Sequence, residues 1–146
     1  VNSNTQILYT IRNISSEDVA FVIKSIKFSA EKFYTKILKM DRNVFLTTMQ
    51  EEMEKRLQNK EIKCLIFCNT EDTSQILGFI LFQDTSPKIV HYLYVKEVFR
   101  KQNLAKEMLT QIGIKVKKEL FIYTLKTFKA VEKEDKYLAV FNPFYF

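Results

Sequence analysis

The chain has 146 residues, 47% of them hydrophobic and 14% aromatic, with only two glycines and two prolines. That is the size of one domain with enough apolar side chain for a real core, and it excludes a disordered or collagen-like chain. A formal charge of +6 favours an anionic partner: a nucleotide cofactor, nucleic acid or an acidic protein all qualify, and a lysine-rich solvated surface is the plain alternative.

No apolar run approaches the ~18 residues of a membrane span, and the amino terminus shows no basic-then-apolar leader. A cytoplasmic protein of one domain over residues 1–146 is expected. Cys64 and Cys68 share one apolar run, and as strand residues they sit about four rises of ~3.3 Å apart, too far for a disulfide or a shared ion. They read as core thiols, and no metal site is expected.

Residues 7–14 alternate, Ile7, Tyr9 and Ile11 against Gln6, Thr10 and Arg12, and predict a half-buried strand. Ser15-Ser16-Glu17-Asp18 supplies a helix start with Ser15 as candidate cap, followed by Val19, Val22, Ile23 and Ile26 at helical spacing. A second apolar set, Ala30, Phe33, Tyr34, Ile37 and Leu38, either continues that helix or begins another after a break near Lys27-Phe28-Ser29. After a turn at Asp41-Arg42-Asn43, Phe45, Met49, Met53 and Leu57 fall four apart. They mark a helix whose outer face is expected to carry Glu51, Glu52, Glu54, Lys55 and Arg56.

Three apolar runs, 62–68, 76–82 and 89–95, are separated by polar, turn-like stretches at 69–75 and 83–88, which predicts an antiparallel meander. Their continuous hydrophobicity requires cover on both faces. Leu104, Ala105, Met108, Leu109, Ile112 and Val116 form the buried stripe of a further helix. Residues 120–125 predict a strand, 128–135 a charged connector or short helix, and 137–141 a last strand before Asn142-Pro143.

The stretch from Val95 to Ala105 joins the third apolar run to that helix through a basic, polar turn. A helix start offers amides without intrahelical acceptors and a partial positive charge, so an anion is stabilised there. Arg100, Lys101 and Lys106 add full charges, and Asn103 is one of the few residue types that enters the left-handed region at modest cost.

A strand ending Leu93-Tyr94-Val95, then Arg100, Asn103 and Ala105, resembles the acyl-CoA pyrophosphate loop of GNAT acetyltransferases, Arg/Gln-x-x-Gly-x-Gly/Ala, with Asn103 in place of the first glycine. Tyr94-Val95-Lys96, Phe99-Arg100 and Asn142-Pro143-Phe144 are most similar to the compact acetyltransferase-like proteins of tailed bacteriophages. The resemblance implies an α+β fold, an α/β sandwich with a mixed, mainly antiparallel sheet and helices on both faces, and acetyl-CoA as acyl donor to an unidentified amine. It implies a pantetheine arm along the backbone of Leu93, Tyr94 and Val95, and a pyrophosphate on Arg100, Lys101, Gln102, Asn103, Leu104 and Ala105. It also puts the protein in a host cytoplasm or a virion, with a homodimer or virion partner as further possibilities.

Catalytic groups are less well marked. Many GNAT members carry a Glu on the fourth strand; here residues 89–95 have none, and His91 is the candidate base, with a packed, hydrogen-bonded core histidine as the alternative. The late tyrosine context of the family is missing, leaving Tyr123 and Tyr137 as candidate proton donors or as core and rim aromatics. A fold that has lost its chemistry and serves as a binding or virion-associated module is the competing reading. Nucleic-acid binding rests on charge alone, without an aromatic-basic sheet or a helix-turn-helix.

Overall fold

The computed structural model describes residues 8–100 and 103–144. Its elements run β1 (Tyr9–Asn13), a 3-10 turn (Ser16–Asp18), α1 (Val19–Lys32), a π-helical turn (Phe33–Ile37), α2 (Arg42–Gln58), β2 (Ile62–Asn69), β3 (Ile76–Gln83) and β4 (Ile89–Val95). A second 3-10 turn (Glu97–Phe99) leads to α3 (Leu104–Gln111), β5 (Phe121–Tyr123), α4 (Phe128–Glu132), α5 (Glu134–Tyr137) and β6 (Ala139–Phe141). The six strands lie in sequence order in one sheet; β2 to β4 form the expected antiparallel meander, β1 pairs antiparallel with β2, and β4, β5 and β6 pair in parallel.

Helices cover both faces, as the unbroken apolar runs require; every residue of β3 is buried. On one face Val22, Ile26, Phe45 and Met53 of α1 and α2 pack on Ile66, Phe79, Leu81 and Tyr92. On the other, Leu104, Met108 and Leu109 of α3 pack on Phe67, Ile80, Phe82 and Val95. Each such side chain, fully buried, contributes roughly 1.5–3 kcal/mol.

The first helical segment does not break at Lys27-Phe28-Ser29. It runs on through Lys32 and loosens into the π turn that carries Phe33 and Tyr34. Ser15 does mark the start: its amide and hydroxyl donate to Asp18 at 2.8 and 3.0 Å, and Arg12 closes the cluster at 2.6 and 3.0 Å. Asp41 caps α2, its Oδ1 accepting from the Val44 amide at 3.0 Å. Two strand-end expectations are corrected. Gln83 is not turn but the buried last residue of β3, and the final strand begins at Ala139, because Leu138 adopts a left-handed conformation (φ 57°) and separates Tyr137, on α5, from it.

Candidate functional site

β4 and β5 stay together for only two residue pairs, Ile89 with Ile122 and Val90 with Tyr123. The Ile122 amide donates to the Lys88 carbonyl at 2.9 Å and the Thr124 amide to the Val90 carbonyl at 3.3 Å. Two residues further on, the Lys126 amide donates to the Tyr34 hydroxyl at 3.1 Å. Beyond Val90 the strands part, while the other edge of β4 remains paired with β3 as far as Val95 opposite Gly78.

A cleft of about 800 Å³ occupies the gap, lined by Tyr92 to Val95 on one wall, Arg100 and Asn103 to Lys106 at one end, and Thr127 to Lys129 opposite. It shares Tyr92, Leu93, Ala105, Thr127, Lys129, Lys133 and Tyr137 with a smaller compartment of about 140 Å³ walled also by Val90, His91, Leu109, Phe121, Tyr123 and Leu125.

The loop at the cleft's end is folded by local bonds. The Phe99 and Arg100 amides donate to Lys96 and Glu97 carbonyls, and Arg100 Nε reaches back to the Val95 carbonyl at 2.9 Å. Lys101 and Gln102 lie outside the described residues. Asn103 takes the left-handed conformation expected of it (φ 60°, ψ 16°) and starts α3, its carbonyl accepting from Glu107. No described residue supplies an acceptor to the amides of Leu104, Ala105 or Lys106. These three donors stand at the positive end of the helix dipole, and the described lining of the cleft carries Arg100, Lys106, Lys129, Lys133 and Lys136 against Glu97. A helix start of this kind can hold an anion. Asn103→Val is expected to cost about 1–2 kcal/mol by forcing a β-branched residue into that conformation, while Asn103→Gly leaves the urea midpoint nearly unchanged.

His91 sits on a β-bulge. Tyr92 pairs with Leu81 and Val90 with Phe82, so His91 is the extra residue of β4. The bulge breaks the alternation of side chains: Val90 packs on the α3 side and Tyr92 on the α1/α2 side, and His91 turns toward α2. There its Nδ1 lies 3.2 Å from Arg56 Nη1 and 2.8 Å from Thr124 Oγ1, and its Nε2 lies 2.8 Å from Gln83 Oε1. Arg56 Nη1 also donates to Thr124 Oγ1 at 3.1 Å. A guanidinium can only donate, so Nδ1 is the acceptor and the proton sits on Nε2, donated to Gln83.

Arg56 corrects the expectation that it lies on the outer face of α2, for it is 7% exposed. At ~100° per residue it stands about 60° from Met53 on one side, as Leu57 stands about 40° away on the other, so a stripe centred on Met53 takes in both. Glu52 faces it at 4.0 Å.

Burial, with the Arg56 charge behind it, pushes the His91 pKa down from 6.5 to about 3. Asp18 is held down, from 3.8 to about 2, by its bonds to Arg12 and then by Ser15, against the opposing effect of burial. In both cases the unfolded chain binds the proton more readily, so stability rises with pH. The His91 contribution is complete above pH 6.5 and lost as pH falls toward 3, and the Asp18 contribution is lost between about 4 and 2. Urea midpoints taken from pH 7 to pH 2.5 are expected to fall through both ranges, and a flat profile from 6.5 to 4 would contradict the buried neutral histidine.

Tyr123 is buried on β5, and its hydroxyl donates to Glu134 of α5; burial first, then Glu134, raises its pKa. Tyr137 is half-buried where the two compartments meet, with Lys133 and Lys136 ammonium groups 5.8 and 5.4 Å from its ring centre. The structure thus brings Leu93, Tyr94, Val95, Arg100, Asn103, Leu104, Ala105, His91, Tyr123 and Tyr137 to one continuous cleft. Sequence reasoning missed Arg56, Gln83, Thr124 and Tyr34. Only the helical angle of Arg56 signalled any of them.

A family profile described as Acetyltransferase (GNAT) domain matches residues 24–126, more than two thirds of the chain. The chain belongs to the GNAT acetyltransferase family. GNAT acetyltransferases use acetyl-CoA as acyl donor, and the profile spans the cleft's β4 wall and loop while leaving α4, α5 and β6 outside. No curated protein matches this chain.

Among solved structures this GNAT domain is similar to YycN from Bacillus subtilis (10% identity, TM-score 0.59, 72% of this chain and 71% of that one). It is also similar to the GNAT family protein mw0638 from Staphylococcus aureus (20% identity, TM-score 0.53, 70% of this chain and 86% of that one). Both show the fold. The PaiA N-acetyltransferase of Thermoplasma acidophilum, solved in complex with coenzyme A, aligns at 19% identity and a TM-score of 0.49 over 72% of this chain and 69% of its own.

Proposed function

We propose that this protein is an acetyl-CoA-dependent N-acetyltransferase acting on an amine. The observation that carries the reading is the coincidence of two features: β4 loses its partner beyond Val90, and its far end runs into the left-handed turn that opens α3. A strand edge that β5 has left and helix amides with no acceptor among the described residues then lie along one cleft, and these are the two binding elements an acyl-CoA needs.

Acetyl-CoA supplies the activated acyl group. Leu93, Tyr94 and Val95 offer backbone donors and acceptors along their unpaired edge, as an added strand would require. The amides of Leu104, Ala105 and Lys106, with Arg100 and with Lys101, Gln102 and Asn103 of the same loop, hold the diphosphate. The smaller compartment, walled by Phe121, Leu125 and Leu109, offers apolar surface to the reacting end.

Tyr137 is assigned as proton donor to the departing thiolate, since its ring faces both compartments, whereas the Tyr123 hydroxyl is committed to Glu134. Both ring nitrogens of His91 have partners, so it is assigned to hold the cleft rather than to take the amine's proton. An amine that arrives neutral, losing its second proton to water, is compatible with that arrangement. The pairing of Tyr94-Val95-Lys96 and Phe99-Arg100 with Asn142-Pro143-Phe144 supports a narrower placement among phage-encoded members, in a host cytoplasm or a virion.

The absence of a carboxylate on β4 favours a second reading, a GNAT-fold module that holds coenzyme A without turnover. Release of free thiol from acetyl-CoA, followed over a panel of small-molecule, peptide and protein amines, tests the two. Amine-dependent release is expected. Tight binding with no release from any amine would favour the second reading.

A further inference from the structure

One end of the α1/α2 layer turns aliphatic and cationic side chains to solvent together. Every residue from Lys36 to Val44 is exposed, through the end of the π turn, the connection and the first turn of α2. Four of them are aliphatic: Ile37, Leu38 and Val44 are each more than half exposed, and Met40 is 38% exposed. An apolar set of this size, rimmed by charge, marks a contact surface. The connection is folded, because the Leu38 and Met40 amides donate to the Phe33 and Tyr34 carbonyls and Asp41 caps α2.

The rim is cationic. Between residues 24 and 42 lie six basic side chains and two acidic ones, a net +4 of the chain's formal +6. Both acids are committed, Glu31 to Arg42 and Asp41 to the Val44 amide, and no described carboxylate forms an ion pair with Lys32, Lys36 or Lys39. Lys39 closes the connection in the left-handed conformation (φ 59°), where glycine would fit at less cost.

We infer that this tip, Ile37, Leu38, Met40 and Val44 with Lys36 and Lys39, docks the protein on an anionic lipid surface. A second copy is a poor occupant, since a two-fold contact would set each cationic rim against its equal. Protein partners are anchored mostly by Trp, Tyr and Arg, and lysine is depleted at such interfaces. A nucleic acid would take the charges and leave the aliphatic side chains without a place. A lipid surface takes both: the aliphatic groups enter the boundary of headgroups and acyl chains, and the lysine stems follow while their ammonium groups stay among the phosphates.

The docking is peripheral, as no helix among the described residues is long and apolar enough to cross a membrane. The tip adjoins the cleft. Phe33 of the π turn packs on Phe128 of the cleft wall, ring centres 5.3 Å apart, so a docked chain holds the cleft beside the surface. The inference stands whether or not the cleft takes acetyl-CoA.

Flotation with phosphatidylcholine vesicles containing one third phosphatidylserine, against pure phosphatidylcholine vesicles, tests it. The protein is expected on the anionic vesicles and not on the neutral ones. Lys36→Gln with Lys39→Gln is expected to weaken binding about thirtyfold, for two ammonium groups lost from the surface. Ile37→Ser with Leu38→Ser, which leaves the charge intact, is expected to weaken it about tenfold.

The control is Lys60→Gln with Lys63→Gln, which removes the same charge beyond the far end of α2. That helix has 17 residues, about 25 Å, well past the ~8 Å screening length, so the control is expected to bind within about twofold of the parent. Binding to neither vesicle, an equal loss in the control, or parent-like binding by both tip variants would overturn the inference. Binding of polyglutamate without binding of anionic vesicles would overturn it too, and would assign the tip to an acidic protein.

Discussion

Arg100→Glu is expected to abolish the thermal stabilisation that acetyl-CoA confers on the parent protein. A ligand present at 100 times its Kd stabilises a fold by about 2.7 kcal/mol. For a domain of this size that raises the melting temperature by roughly 5–10 °C, at about 2–4 °C per kcal/mol. The parent side chain closes the turn, Nε on the Val95 carbonyl, and adds a full positive charge beside the amides of Leu104 to Lys106. Charge reversal replaces attraction for a diphosphate by repulsion at the same spot and removes the bond that curls the turn. Since Arg100 is exposed, the variant's own melting temperature is expected to stay within a few degrees of the parent's. Differential scanning fluorimetry with and without acetyl-CoA reads both quantities, and a shift in the variant equal to the parent's would remove Arg100 from the site.

Gly78→Ala is expected to damage fold and cleft together. Gly78 lies opposite Val95 where β3 supports the end of β4, and a Cβ at this position would come within 2.3 Å of the Tyr94 carbonyl oxygen and 3.3 Å of the Val95 Cα. Both obstacles are backbone, so no rotamer change relieves the clash and the strand itself must move. Overpacking of this kind costs about 1–3 kcal/mol. The movement falls on Tyr94 and Val95, the residues that lead into the anion loop, so acetyl-CoA affinity is expected to fall with stability. Urea denaturation and calorimetry check the two effects, and an unchanged urea midpoint would show that β3 and β4 are not tightly apposed at this point.

Local chemistry was legible in the sequence wherever the cause was local. The order of strands and helices follows from apolar spacing, and the unbroken run 76–82 announced a strand covered on both faces. Asn103 could be read as left-handed because Asn tolerates that conformation where a turn must curl into a helix.

What was not legible depends on distant partners. Arg56 is charged and lies in a charged stretch, so composition put it in solvent; only the fold brings His91 and Thr124, 35 and 68 residues further on, to its guanidinium. Tyr34 and Lys126 are 92 residues apart, and nothing in either segment signals that the hydroxyl of one accepts from the amide of the other. Gln83 read as turn because a polar residue at a strand end ordinarily is one, whereas its amide oxygen is committed to His91. Tyr137 read as strand because the apolar run continues through it, and the left-handed Leu138 that cuts the run has no compositional mark.

The central claim, that the amides opening α3 grip the diphosphate of acetyl-CoA, is tested most directly by following backbone amide resonances during an acetyl-CoA titration. The amides of Leu104, Ala105 and Lys106 are expected to shift downfield and saturate together, with smaller shifts along Leu93 to Val95. Saturable binding that leaves those three resonances in place would contradict the account.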